Sequence, residues 1–129
     1  MLKLDRKSAE AILKVCIKYY GKSKYTNILP FIKIFKHSKY YTKKIKTGHY
    51  ANNVISIYIK NIESVEELIK TIIHEYHHYL SDPNEYELLL EELKQKGYNK
   101  SDCYNLHPHE QFCHKAENDY KIIESFLIK

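Results

Sequence analysis

The sequence predicts an α+β fold: an N-terminal helix, a small mixed sheet of about three strands, and helices through to the C-terminus. Three observations carry this. Apolar residues recur at the i, i+3, i+4 spacing of an amphipathic helix over residues 5–20 and 65–80, and again after residue 82. Between the first two of these stretches, residues 28–59 are rich in β-branched and aromatic side chains. Capping and stop residues bracket the periodic segments. A chain of 129 residues has room for one modest core, so residues 1–129 are read as a single domain.

Taken in order, Asp5 caps a helix that runs to Tyr20, with apolar groups at 9, 12, 13, 16, 17 and 20 and Gly21 as its stop. Cys16 falls on the apolar side, where a small buried hydrophobe is expected. Residues 22–27 form a linker. Ile28 to Thr47 reads as one or two strands with basic solvent faces, Pro30 standing at a strand start or edge. Gly48 to Ile59 reads as a hairpin that turns at Asn52-Asn53, because Asn tolerates positive φ. Ser64 and Glu67 make a capping box for the helix Val65 to Leu80.

Asp82 at the N-cap, Pro83 at N1, Glu85 at N3 and Gly97 past the end delimit the next helix. Its Glu85, Glu87, Glu91 and Glu92 read as a solvated acidic face. A polar connection, NKSDCYNLH, leads to one long amphipathic helix, Pro108 to Ile128. Phe112, Ala116, Ile123, Phe126 and Leu127 share one of its faces; Glu110, His114 and Glu117 share the opposite one.

Composition narrows the function classes. No apolar run reaches the roughly 18 residues that span a membrane. The opening MLKLDRKSAEAILK has no apolar core of a secretory signal. Three cysteines without framework spacing fit a reducing, intracellular setting. Charge is divided: residues 1–60 carry fourteen Lys/Arg against two Asp/Glu, residues 61–129 seven against fourteen. A basic half can attract nucleic acid or an acidic protein. As one surface of a single domain it is equally well solvated, and that is the preferred reading.

Chemistry is concentrated in VEELIKTIIHEYHHYL, residues 65–80. His74 and His78 stand one turn apart on the face opposite the apolar stripe, with Glu75 on the flank between them. H-E-x-x-H on a helix lets two imidazoles hold one Zn²⁺ while the glutamate acts as general base. His77 points away, and is read as supporting a ligand or as solvated. Catalytic zinc takes three protein ligands and keeps one position open. The last helix offers Glu110 or Glu117 for a carboxylate-completed site and His114 for a histidine-only one; Glu110 ranks first for its place at the helix start. Cys103, His107, His109 and Cys113 match no familiar zinc spacing, and His49 reads as a surface histidine. A strand at the sheet edge beside such a helix would let an extended peptide pair with it and offer a carbonyl to the metal.

HEYHHYL followed by HPHEQFCHKAEND resembles the small zincin-like metallopeptidases of the gluzincin kind, and within them the ImmA/IrrE-like group with its phage, viral and plasmid-borne relatives. The resemblance covers residues 45–120. It implies a zincin-like metallopeptidase domain in which a short sheet precedes the H-E-x-x-H helix, and a later helix opening with Pro-x-Glu-x-x-Ala supplies the third ligand. Carried over, His74 and His78 match the first two ligands, Glu75 the general base and Glu110 the third ligand. Cys113 stands where the family usually has alanine. The SprT-like crosslink-repair proteases share the core but use a third histidine, for which His107, His109 or His114 would have to serve.

The implied activity is Zn²⁺-dependent hydrolysis of peptide bonds in an intracellular protein substrate. A zincin fold that binds a partner without catalysis is the alternative, and a DNA-associated protease a further one. His107, His109 and the tyrosines are the candidate oxyanion donors. Glu117 or Asp119 would orient the histidine ligands.

Overall fold

The computed structural model describes residues 2–36 and 46–127. Helix α1 (Arg6–Tyr20) starts where Asp5, in extended backbone, accepts the Ser8 N–H at 2.8 Å, and stops at Gly21, whose φ of 85° few other residues adopt. Three strands follow: β1 (Phe31–Phe35), β2 (Gly48–Ala51) and β3 (Val54–Tyr58). Then come α2 (Val65–Leu80), α3 (Pro83–Gln95), α4 (Lys100–Leu106), α5 (Pro108–Ala116) and α6 (Tyr120–Leu127). The α+β expectation therefore holds among the described residues. None of these helices is long and apolar enough to cross a membrane.

β3 is the middle strand. It pairs in parallel with β1, Ile32 beside Ile55 and Ile34 beside Ile57, and antiparallel with β2. Asn52 and Asn53 turn the β2–β3 hairpin with φ of 49° and 66°, both in the left-handed region that the short hairpin requires. Gly48 is there for closeness. A Cβ on it would meet Thr71 Cγ2 at 2.6 Å and the Ser56 carbonyl oxygen at 3.2 Å, so only glycine lets β2 lie flat on α2.

α2 is the axis of the molecule, touching α1, the sheet, α5 and α6. Leu68, Ile69, Ile72, Ile73 and Tyr76 close the core with Ile12 and Cys16 of α1, Ile55 and Ile57 of β3, and Ile123 of α6. Each such buried side chain contributes about 1.5–3 kcal/mol by leaving water. The Tyr76 hydroxyl donates to the Gly21 carbonyl, tying α2 to the end of α1. At the start of α2, Ser64 Oγ accepts the Glu67 N–H at 3.1 Å, as a capping box requires; Glu67 reaches the N–H of Glu63 rather than that of Ser64.

Ile28 to Thr47 holds one strand among the described residues, Phe31–Phe35, with Pro30 just before it; residues 37–45 lie outside them. Three expectations are corrected. The polar connection after Gly97 holds a helix, α4, because Asn99 accepts the Asp102 N–H at 2.8 Å and Cys103 is buried. The long final helix is broken at Glu117–Asp119 by a 3₁₀ turn into α5 and α6. That turn brings Asp119 to the Tyr20 hydroxyl at 2.8 Å. The two expected faces are only partly kept: Phe112 of the apolar set is exposed and Glu110 of the polar set is buried, whereas Ile123 is buried and His114 is exposed.

Candidate metal centre

Several polar side chains of α2 are buried along with its apolar ones. Thr71, His74, Glu75 and His77 are each less than a tenth exposed. Their cover is α5, packed across α2 so that its first turn meets the H-E-x-x-H segment. Pro108 at N1 and His107 as N-cap fix where that turn begins.

Glu110 is the meeting point. Its Oε1 lies 3.2 Å from His74 Nε2 and 2.9 Å from His78 Nε2, and the residue is 3% exposed. Two ligands at ordinary zinc distances on one tetrahedral ion stand roughly 3.3 Å apart. Each imidazole nitrogen therefore stands near ligand spacing from the carboxylate oxygen, close enough for the three donors to share a metal ion. The other carboxylate oxygen, Oε2, accepts from the Tyr86 hydroxyl at 2.6 Å. Glu117 accepts from His74 Nδ1 at 2.8 Å, leaving Nε2 of that ring to face Glu110. This is the carboxylate–histidine arrangement that fixes the tautomer of a metal-binding imidazole.

Without a cation the cluster is an ion network. Burial pulls the His74 imidazolium down, but the hydrogen bonds to Glu110 and Glu117 outweigh it and push its pKa up to about 9. Burial likewise pushes Glu110 up, yet His74, His78 and Tyr86 together hold its carboxyl far below the usual range. Glu75 faces the same cleft and accepts no comparable compensation: burial raises its pKa above that of an ordinary carboxylate.

Other predicted residues fall elsewhere. His114 has a side chain 57% exposed and meets Glu117 Oε2 at 3.0 Å; both stand at the Nδ1 side of His74, away from its Nε2. His74, His114 and Glu117 nevertheless form one group close enough to hold a cation, and His74, His78 and Cys113 form another. His77 is buried, not solvated, and supports no ligand. Its Nδ1–H donates to the Ile73 carbonyl at 2.8 Å and its ring meets Tyr20 edge-on.

His107 and His109, the two histidines named as oxyanion-donor candidates, are not among the residues that line the cleft. His107 is fully buried, its Nε2–H donating to the Tyr86 carbonyl at 2.8 Å and its Nδ1 accepting the His109 N–H at 3.1 Å. His109 turns to Glu85, Nε2 to Oε1 at 2.9 Å. His49 is exposed on β2, as expected, and lines the cleft.

The cleft beside the cluster has a volume of about 490 Å³ and is lined by His49, Tyr50 and Ala51 of β2 together with Tyr86 and Tyr104. Glu75, His74, His78 and Glu110 form its floor. Tyr86 and Tyr104 carry no signal in a sequence with thirteen tyrosines. Tyr86 is set by α3 stacking on His107, ring centroids 3.9 Å apart, which is a tertiary contact.

No family model, no curated protein and no solved structure matches the chain.

Proposed function

We propose that the chain is a zinc-dependent endopeptidase with a zincin-like site, in which His74, His78 and Glu110 hold the metal and Glu75 is the general base. The observation that carries this is the convergence of both Nε2 atoms on one buried carboxylate oxygen of a distant helix, with Glu75 facing the same cleft. When bound, zinc supplies a Lewis acid and lowers the pKa of a coordinated water toward about 7.

The chain's own residues do the rest. Glu75, its proton affinity raised by burial, takes a proton from the attacking water and returns it to the departing amine. An extended peptide pairs with the outer edge of β2, where His49, Tyr50 and Ala51 line the cleft, and so lays its scissile carbonyl over the floor. Tyr104, which also lines the cleft, donates to the developing oxyanion. Glu117 keeps the His74 ring in the tautomer whose Nε2 is free to ligate.

A peptide suits the cleft better than a nucleic acid does. Besides the floor carboxylates, Asp82 and Glu87 line it against a single Lys46, and phosphates would meet like charge. The test is metal content together with a fluorogenic peptide screen. Wild type should hold one zinc and cleave in a chelator-sensitive way; Glu75→Gln should hold zinc and fail to cleave; Glu110→Ala should lose zinc. Full cleavage by Glu75→Gln, or full zinc content in Glu110→Ala, overturns the assignment.

A further inference from the structure

α5 turns a second donor toward the imidazole pair. Cys113 follows Glu110 by three residues, so both side chains leave the same face of the helix. It is completely buried, and its Sγ lies within 4.8 Å of a ligand nitrogen of His74 and of one of His78. The chain's other two cysteines are buried without such company. Cys16 packs in the apolar core, and Cys103 gives its Sγ–H to the Tyr98 carbonyl at 3.5 Å. Neither belongs to a metal-capable group among the described residues.

We propose that Cys113 is a fourth ligand of the same metal, its thiolate competing with water for the position that hydrolysis needs open. This rests on the metal reading of the site. The thiol gives up its proton to solvent as sulfur joins the metal, and recovers one when water replaces it, so charge and atoms balance without a redox partner.

Two consequences follow. A donor set of two nitrogens, one oxygen and one sulfur selects borderline and soft divalent cations such as zinc, cobalt and cadmium over magnesium, calcium or manganese. With sulfur bound, the centre is closed and resting; with sulfur displaced, it has the open position of a catalytic site.

Cobalt(II) reports both states without any assay of cleavage. Titrating it into chelator-treated wild type should give the visible absorption of a four-coordinate ion together with a near-ultraviolet thiolate-to-cobalt band. Cys113→Ala and Cys113→Ser should keep the visible absorption and lose the thiolate band. Their preference for cadmium over zinc should fall at least about tenfold. A wild-type cobalt complex without the thiolate band, or a band that persists in both variants, overturns the inference while leaving the three-ligand reading intact. Failure of wild type to take up cobalt at all overturns both. Should the variants not fold, the wild-type spectrum decides alone.

Discussion

The two sides of α2 are both largely hidden from water and are held by opposite means. On one, Leu68, Ile69, Ile72 and Ile73 meet α1, β3 and α6 through apolar contact. On the other, His74, Glu75 and the half-buried His78 meet α5 through ionisable groups. The apolar side is stable by itself. The polar side is a cost in burial unless charges are matched, and a cation is the group that would match two imidazoles, Glu110 and Glu75 at once. His77 sharpens the contrast. One residue before His78 on the same helix, it gives its ring N–H to a backbone carbonyl, and Asp119 acts on it only through space.

The largest expected effect strikes the polar side alone. Glu75→Gln should lower kcat/KM by about 10²–10⁴-fold, the usual worth of a positioned general base, with zinc content and thermal stability unchanged. Next, Ile72→Ala on the apolar side should cost about 2–5 kcal/mol by leaving a cavity. Denaturant unfolding should show that loss equally with metal and with chelator. Glu110→Ala should instead abolish the stabilisation that zinc brings, so its unfolding curves with and without metal should coincide. If zinc still stabilises that variant as it does wild type, the two sides do not differ in the way argued.

Acidity separates the sides as well. In chelator-treated protein, His74 is raised from 6.5 to about 9, so its contribution to stability is complete below pH 6.5 and fades as pH climbs through 9. Glu110 is lowered from 4.5, so its contribution is present above that value and is lost as pH falls below it. Melting temperature should therefore peak between those limits, and His74→Gln should remove the alkaline decline. The smallest effect belongs to His77→Gln, which should cost about 1 kcal/mol for one hydrogen bond and leave zinc binding untouched. A zinc titration of that variant matching wild type is the check.

What was legible in the sequence was local. Caps at Asp5, Ser64 and Asp82, the stop at Gly21 and the Asn52-Asn53 hairpin each depend on residues within a few positions of one another, and all stand as expected. The i, i+4 spacing that sets His74 beside His78 is likewise a property of one helix. The one-helix reading of residues 108–128 failed because a run of helix-forming residues gives no sign that a 3₁₀ turn will bend it at Glu117, where side chains on α1 and α2 take hold.

By itself, then, the amino-acid order determined the α+β pattern, the sixteen-residue helix at its centre and the two imidazoles on it, since short-range geometry suffices for each. Only the tertiary structure decided which face of α5 is buried. The apolar pattern alone turns Phe112 inward, whereas packing against His74 and His78 buries Glu110 and leaves Phe112 exposed, because ionisable groups that partner one another can be buried together where none could be buried alone. The place of Tyr86, twenty-four residues from the carboxylate it steadies, was decided in the same way.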